Sequence, residues 1–179
     1  LIGVDRDAEA LRICKKRLFS YHSSLSLFNK SYHKINSILD GLKIEKVNGI
    51  LLDLGLSSLQ LGSKDRGFSY KTNCELDMRF DRSQKKNALN IVNNMPEKML
   101  ADLIYYNSDE KRSRAIARKI ISMRPINKVF DLVEAIKKST PPFKRDMTIS
   151  RVFQAVRISV NNELEKLDQF LSIFYPRLL

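Results

Sequence analysis

The sequence predicts an α/β fold in which an N-terminal region with a parallel sheet is followed by a mostly helical region. Strand and helix patterns alternate over residues 1–60, and two of the apolar runs end in acids, Asp5 and Asp53. Strands that alternate with helices usually form βαβ units, whose strands are parallel. Helical periodicity without strand patterns beyond residue 87 predicts the second region.

The N-terminal region is predicted to contain three strands and two helices. The strands are residues 1–5, 25–29 and 50–54. Asp7 is suited to cap the first helix, because its carboxylate can accept a hydrogen bond from an unpaired backbone N–H. Apolar residues recur at helical spacing in both helices: Ala10, Leu11, Cys14 and Leu18 in the first, and Ile35, Ile38, Leu39 and Leu42 in the second.

The pattern changes after Gln60. Residues 61–86 carry many charges and have no clear periodicity, which predicts an ordered loop or the entrance to a second domain. Short helices are predicted over residues 87–139. The clearest of them covers residues 109–123, with an apolar face and an opposite basic face, the latter formed by Lys111, Arg112, Arg118 and Lys119.

One long helix is predicted at the C-terminal end, over residues 150–174. Pro141 and Pro142 precede it and end the run of short helices, because proline cannot continue a helix. The predicted helix has a continuous apolar stripe. A polar flank of Gln154, Arg157 and Asn161 borders the stripe, and two interpretations stay open: a buried hydrogen-bonding row, or a contact with a nucleotide.

Composition narrows the class of protein. With 179 residues, 43% hydrophobic and 29% charged, the chain is typical of a globular protein with a buried core. No apolar run approaches the about 20 residues of a membrane-spanning helix. Cys14 and Cys74 lie far apart without metal-ligand spacing, which favours reduced thiols in the cytoplasm. His22 and His33 have no Cys or carboxylate arrangement around them, so no metal site is predicted.

The net charge of +12 is concentrated in the second region. Residues 1–60 contain 9 Lys and Arg against 6 Asp and Glu, whereas residues 61–179 contain 23 against 14. A concentrated basic excess favours a polyanionic partner such as nucleic acid, because Lys and Arg replace counterions along a phosphate backbone. A Lys-rich composition without binding function explains the same charge, and both interpretations stay open.

The two acids at predicted strand ends are candidate ligand-binding residues. Ligands of open α/β sheets bind beyond the carboxyl ends of the strands, where an acid such as Asp5 can accept hydrogen bonds from a ribose diol. The alternative for Asp5 is a capping role in the strand–helix turn. Asp53 is followed by Gly55, which allows close approach of a ligand to the backbone, and by the hydroxyls of Ser57 and Ser58.

Several collinear blocks of the sequence resemble the bacterial ribosomal RNA methyltransferases that modify the exocyclic N4 of a cytosine in the small-subunit RNA. They span nearly the whole chain and comprise residues 4–7, 49–60, 65–69, 76–81, 114–121, 153–158 and 160–164. The chain departs from the family at residues 106–111, which are one residue longer than the family's segment. It departs again at Met147 and Thr148, which replace a His-Pro pair.

The resemblance implies a partial Rossmann-like methyltransferase sheet with an inserted all-helical domain. Residues 1–65 and 160–179 would form the methyltransferase domain, and residues 66–159 the insertion, which would recognise RNA. The implied cofactor is S-adenosylmethionine, and the implied partner is small-subunit ribosomal RNA. The residues matching cofactor contacts of the family are Asp5, Tyr32, Asp53 and Gln60, with Tyr32 in place of an aromatic residue beside the adenine.

The same resemblance suggests which residues contact RNA, but it identifies no catalytic residue. The expected location is the bacterial cytoplasm, with an organelle as the alternative, and no membrane partner or oligomeric state is predicted. The residues expected to contact RNA are Arg66, Arg79, Lys111, Arg118, Arg157 and Asn161.

The resemblance also implies that the chain is an incomplete copy. The family's first strand and glycine-rich cofactor loop would precede Leu1, and its later motifs would follow Leu179. That first strand would lie between the strands that end in Asp5 and Asp53, so we expect the 179-residue chain alone to be unstable or inactive. One alternative is a catalytically incomplete RNA-binding or interaction module. A nicotinamide dehydrogenase is a weaker alternative, because no residue pattern here supplies hydride transfer.

Overall fold

The chain begins with a pair of parallel strands joined by a helical crossover. In the computed structural model, which describes residues 1–179, strand β1 (Ile2–Asp5) pairs with strand β2 (Ser26–Asn29), and Val4 lies opposite Phe28. The predicted βαβ unit is thereby confirmed. The nine α-helices follow in the order α1 (Ala8–Arg17), α2 (Ile35–Gly41), α3 (Ser58–Gly62), α4 (Ala88–Asn94), α5 (Glu97–Ser108), α6 (Ser113–Ser122), α7 (Val129–Lys138), α8 (Arg145–Asn161) and α9 (Glu163–Ile173).

The residues divide into two compact units that alternate along the chain. Unit 1 contains Leu1–Gly55, Phe80–Arg82 and Asn162–Leu179, and unit 2 contains Leu56–Arg79 and Ser83–Asn161. The structure is therefore of the α/β class, with one small parallel sheet and many helices. No helix is both long and apolar enough to span a membrane.

Unit 1 joins the βαβ unit to α2, α9 and the C-terminal turn. The Asp7 carboxylate accepts a hydrogen bond from the Glu9 N–H at 3.0 Å, which confirms the predicted cap of α1. At the other end of the chain, Arg177 donates from Nη2 to Asp40 at 2.6 Å and from Nε to Asn36 at 3.1 Å. The core of this unit includes Ile38, Leu39 and Phe170.

Unit 2 is built from helices α4 to α8 around one apolar core. Helix α5 packs against both α6 and α8, and α7 also contacts these two helices. The predicted apolar face of α6 is buried, as the helical spacing requires. The buried side chains that these helices contribute include Leu100, Ile104, Ile116, Ile120, Leu132, Ile136, Val152 and Val156.

The predicted strand over residues 50–54 is wrong. These residues have no regular secondary structure, and the Leu51 side chain is 92% exposed. The sheet contains β1 and β2 alone, and residues 50–54 pair with neither. A strand persists only where a neighbour satisfies its backbone N–H and C=O groups, so an apolar run without a paired neighbour stays irregular.

The long C-terminal helix is also a wrong prediction, because the structure contains two helices there. Asn162, between α8 and α9, has left-handed backbone angles of φ 49° and ψ 48°. Asparagine tolerates this conformation better than most residues. The predicted apolar stripe is therefore divided between α8 in unit 2 and α9 in unit 1, and its members Leu164 and Leu171 on α9 are exposed. A left-handed residue at Asp109 likewise ends α5, so α6 begins at Ser113 rather than near residue 109.

The irregular segment between α3 and α4 depends on Gly67, which generates the first prediction. Gly67 has φ +70°, and a Cβ atom there would lie 2.7 Å from the Glu75 carbonyl oxygen. We expect Gly67→Ala to lower the free energy of unfolding by about 2–3 kcal/mol, measured by urea denaturation followed by circular dichroism. The matched control is Gly62→Ala, where a Cβ meets no atom within 4 Å. Equal losses in both variants would contradict a steric role for Gly67.

Candidate functional site

Asp5 stands at the carboxyl end of β1 with one carboxylate oxygen engaged. Its Oδ1 accepts a hydrogen bond from the Asp7 N–H at 2.7 Å, and the backbone N–H of Arg6 also interacts with the carboxylate. Partial exclusion of water by the surrounding protein raises the pKa of Asp5, and the hydrogen bond from Asp7 opposes this shift. Asp5 therefore supports the strand–helix turn that follows β1.

A basic cleft opens where both strands of the sheet end. Its volume is about 450 Å³, and its lining includes Arg6, which follows Asp5 directly, together with residues that follow β2. This is the edge at which ligands of α/β sheets bind. The titratable side chains that line the cleft are Arg6, Lys30, His33, Lys34, Asp81 and Lys166.

Arg6 and Lys166 concentrate positive charge in this cleft. Burial and, to a smaller extent, the nearby positive charge of Arg6 lower the pKa of Lys166 to about 8, against the opposing charges of Glu165, Asp81 and Glu163. Burial also lowers the pKa of Arg6, whose guanidinium lies 5.9 Å from the centre of the Phe80 ring. Two partly desolvated cations near each other favour an anionic group between them.

Tyr32 begins the 3₁₀ turn Tyr32–Lys34, just after β2. Its hydroxyl donates a hydrogen bond to the Glu163 carbonyl oxygen at 3.3 Å, and its ring meets Phe170 edge to face at 5.7 Å. Burial and the charge of Glu163 raise the pKa of Tyr32. Arg6 acts electrostatically on both Tyr32 and Asp5, so these two predicted cofactor residues lie around one cation.

The other two predicted cofactor residues belong to different units. Asp53 is exposed in unit 1, two residues before Gly55, whose φ of +114° only glycine adopts readily. Gln60 is buried in unit 2, where its Oε1 accepts from the Ser57 N–H at 3.1 Å and its own N–H donates to the Ser57 Oγ at 3.2 Å. This reciprocal pair is a capping box for α3, so Gln60 has a role in folding.

Two of the arginines predicted to contact RNA make contacts within the irregular segment between α3 and α4. Arg66 is only 2% exposed; it donates to the Arg79 carbonyl oxygen at 2.7 Å, and its guanidinium lies 5.3 Å from the centre of the Phe68 ring. Arg79 makes a two-pronged ion pair with Asp77, from Nε at 2.5 Å and from Nη2 at 3.1 Å. These contacts assign both side chains to the local structure and leave little of Arg66 for RNA.

Asn161 is fully buried, and Arg157 is half-buried one turn earlier in α8. The Asn161 amide donates to the Met78 carbonyl oxygen at 2.8 Å and to the Arg157 carbonyl oxygen at 3.0 Å. For Asn161, these bonds support a buried hydrogen-bonding role rather than a nucleotide contact. Gln154, the third member of the predicted flank, is exposed.

Lys111 and Arg118 are the predicted RNA contacts that reach solvent. Lys111 is exposed just before α6, and the Arg118 side chain is 77% exposed on that helix. Arg118 lies 3.6 Å from a Glu97 oxygen, but such exposed pairs contribute little to stability. Both cations are therefore available for a partner.

Sequence reasoning missed most of the basic cleft. Arg6 and Lys30 directly follow the two strands, so their positions could have been predicted from the ends of the strands. Lys166 lies far along the chain in α9, and it gave no sequence signal at all. Its position in the cleft depends on the tertiary packing of α9 beside the 3₁₀ turn that Tyr32 begins.

The sequence matches one protein family and several named relatives. Residues 1–178 match the MraW methylase family. A protein of Thermosipho africanus named ribosomal RNA small subunit methyltransferase H is 44% identical over 176 residues, which cover 96% of this chain and 60% of that protein. Proteins of the same name from Kosmotoga olearia and Mycoplasma mobile are 45% identical over 179 residues and 43% identical over 174 residues.

These two alignments cover 97% and 96% of this chain, and 60% and 57% of the respective relatives. The chain thus spans about 60% of the length of the curated relatives described above.

The lowered pKa of Lys166 generates the second prediction. An amine reacts with acylating reagents only when unprotonated, so the labelling of Lys166 by acetic anhydride, followed by mass spectrometry, should reach half its limit near pH 8. Arg6→Gln removes a repelling charge and should move this midpoint upward. A midpoint near the usual value of 10.5, or one that Arg6→Gln leaves unchanged, would contradict the proposed electrostatics.

The same shift has a defined effect on stability. The folded state releases the Lys166 proton at a lower pH than the unfolded state does. Lys166 therefore costs free energy of folding below about pH 8, and this cost is relieved as the pH rises toward 10.5.

Proposed function

Because the chain belongs to the MraW methylase family, we propose that the protein transfers a methyl group from S-adenosylmethionine to the exocyclic N4 of a cytosine in small-subunit ribosomal RNA. The observation that carries the proposal is the family match over residues 1–178, joined to the acid Asp5 at the carboxyl end of β1. The names of the relatives supply the substrate class. The bacterial cytoplasm, where ribosomes are assembled, is the corresponding location.

The two units correspond to the two parts of such an enzyme. We assign unit 1, with its parallel strands and helical crossover, to the methyltransferase domain with a Rossmann-like sheet. Unit 2 is assigned to the inserted helical domain, because most of its sequence lies between segments of unit 1. The units change at Gly55 and Asn162, within about ten residues of the limits 65 and 160 expected for the domains.

The cofactor residues fit this assignment to different degrees. Asp5 offers a carboxylate at the end of β1, and a carboxylate can accept several hydrogen bonds, which suits the hydroxyls of a ribose. Tyr32 offers a half-buried aromatic ring close to the same strand ends, and Asp53 offers an exposed carboxylate beside a glycine turn. Gln60 already caps α3, so we expect it to contribute mainly by fixing the turn that begins at Ser57.

Catalysis in this proposal depends on positioning. S-adenosylmethionine, when bound, supplies an electrophilic methyl group for the amine nitrogen. The cytosine amine is a weak nucleophile, because its lone pair is delocalised into the ring, so holding the reactants at close range supplies much of the rate. The target base must also leave its stack to reach the cofactor. None of the residues described above is assigned as a catalytic base.

The charge of unit 2 supports RNA as the substrate. Unit 2 contains 20 Lys and Arg against 10 Asp and Glu, whereas unit 1 contains 12 against 10. Phosphate contacts from Lys and Arg supply most of the affinity of proteins for nucleic acid. We therefore place the RNA-recognition surface on unit 2, where Lys111 and Arg118 are exposed.

The third prediction tests the cofactor site by titration calorimetry of the gene product with S-adenosylmethionine. Asp5→Asn keeps an acceptor for the Asp7 N–H but removes the negative charge, so the affinity should fall about tenfold. The matched control is Asp168→Asn, an exposed acid on α9, which should bind as the unchanged protein does. Equal affinities for all three proteins would remove Asp5 from the site.

The fourth prediction tests the reaction itself. With radiolabelled methyl donor and small-subunit ribosomal RNA, the gene product should transfer label that nucleoside digestion and mass spectrometry identify as N4-methylcytidine. Label on a ribose hydroxyl or on another base would contradict the proposed acceptor. No transfer together with undiminished RNA binding would favour the alternative of a catalytically incomplete RNA-binding module.

A further inference from the structure

A basic groove of about 650 Å³ runs across unit 2 between α6 and the end of α7. Helix α6 forms one wall, and its ten residues extend about 15 Å. The other wall comes from the last turn of α7, the following corner and the start of α8. The groove is lined by no acidic side chain and by six cations: Arg112, Arg118, Lys119, Lys137, Lys138 and Arg145.

Two of the arginines are held in place by backbone carbonyl groups. Arg112 donates from Nε to the Ser139 carbonyl oxygen at 3.1 Å, and Arg145 donates from Nε to the Thr140 carbonyl oxygen at 3.3 Å. Both bonds use the Nε–H, so the terminal nitrogens of each guanidinium remain for a ligand. A guanidinium that is already positioned suits the two-pronged recognition of a phosphate.

Two of the other cations of the groove, Arg118 and Lys138, are held only weakly by acids. Arg118 lies 3.6 Å from Glu97, and Lys138 lies 3.6 Å from Glu134, with all four side chains substantially exposed. Pairs of this kind contribute about 0–1 kcal/mol and are screened by salt. A polyanion can therefore displace the acids at little cost.

Thr140 contributes a buried hydroxyl without a hydrogen-bond partner, which an ordinary solvent-exposed basic surface does not have. This residue lines the groove at the corner after α7. An unpaired buried hydroxyl is unfavourable, and a phosphate oxygen at the corner would provide an acceptor for it.

An exposed aromatic ring stands at the same corner. Phe143 is 82% exposed in the 3₁₀ turn Pro142–Lys144, between the groove residues Pro141 and Arg145. Basic grooves flanked by aromatic rings are typical of single-stranded nucleic acid binding, in which a base stacks on the ring while the backbone follows the charges. This combination favours RNA over an acidic protein segment.

We propose that this groove binds the sugar-phosphate backbone of a single-stranded segment of the substrate RNA. The identity of the RNA rests on the proposed function, whereas the groove and its cations are features of unit 2 alone. Lys119, Lys137, Lys138, Arg112 and Arg145 thereby join Arg118 in an RNA-binding surface, and Phe143 receives an adjacent unstacked base.

The first test measures the binding of a fluorescent single-stranded RNA to the gene product by anisotropy. The variant Lys137→Gln/Lys138→Gln removes two charges from the last turn of α7, and its affinity should fall about tenfold or more at low salt. The control Lys15→Gln/Lys16→Gln removes two exposed lysines from the last turn of α1, and its affinity should stay near that of the unchanged protein. Equal weakening in both variants would show non-specific attraction and overturn the proposal.

The salt dependence provides a second readout. Each phosphate contact to single-stranded RNA contributes about 0.7 to the slope of log affinity against log salt concentration. The slope should therefore fall by about 1.4 in Lys137→Gln/Lys138→Gln and remain unchanged in the control. An unchanged slope in the α7 variant would contradict direct contact with phosphates.

Two uncharged substitutions separate the groove from long-range electrostatics. Thr140→Val removes the unpaired hydroxyl, so it should leave the stability unchanged or raised and still weaken RNA binding severalfold. Phe143→Ala should weaken RNA binding at least fivefold while leaving the binding of inorganic polyphosphate, which has no bases, unaltered. Full RNA affinity in both variants would place the RNA elsewhere.

The outcomes distinguish this proposal from the proposed function. If the α7 variant binds RNA as its control does while methyl transfer persists, the groove is wrong and the enzyme assignment stands. If RNA binding depends on the groove but no methyl group is transferred to RNA, the groove stands and the enzyme assignment fails. Absence of RNA binding by the unchanged gene product would overturn the groove proposal outright.

Discussion

The architecture of unit 2 depends on a small set of side-chain hydrogen bonds that replace regular backbone pairing. The segment between α3 and α4 contains neither helix nor long strand, yet Leu76, Asp77 and Met78 within it are buried. Buried backbone groups need partners, and Asn161 supplies one by donating to the Met78 carbonyl oxygen.

Two further side-chain hydrogen bonds join the start of the second stretch of unit 2 to the end of α8. Gln84 donates to the Val160 carbonyl oxygen at 2.9 Å, and Lys86 donates to the Ser159 carbonyl oxygen at 2.9 Å, just before α8 ends at Asn161. Asn161 is therefore placed by both the irregular segment and its own helix. The sequence left two interpretations of Asn161 open, a buried hydrogen-bonding role and a nucleotide contact, and its complete burial favours the first.

Local signals account for the parts of the fold that the sequence could predict. The cap at Asp7, the period of α1 and the parallel pairing of β1 and β2 depend on residues close in the chain, and all were predictable. Residues 50–54 look like a strand, but a strand also needs a neighbour, which local pattern does not encode. The break at Asn162 was not predicted for the same reason. The helical spacing of apolar residues runs past Asn162 in the sequence, whereas the structure places α8 and α9 in different units.

The candidate site shows the same limit. The acid at the end of β1 was predictable, because strand period and acid position are both visible in the sequence. The cations around it were not, since Lys166 is carried to the cleft by the packing of α9. The two units also use positive charge differently: unit 1 partly buries Arg6 and Lys166 among carboxylates, whereas unit 2 exposes its cations along a groove without acids. The first arrangement suits a small anionic group, and the second suits a polymer of phosphates.

Asp5 shows why capping and binding need not exclude each other. A carboxylate has two oxygens and room for several hydrogen bonds, of which the strand–helix turn uses those from the backbone N–H groups of Asp7 and Arg6. These bonds restrict the rotation of the side chain, so the carboxylate is held in a defined direction before any ligand arrives. Ordering a side chain on binding costs free energy, and a side chain already ordered by its own fold avoids that cost. The structural role of Asp5 is thus compatible with the cofactor-binding role that we propose for it.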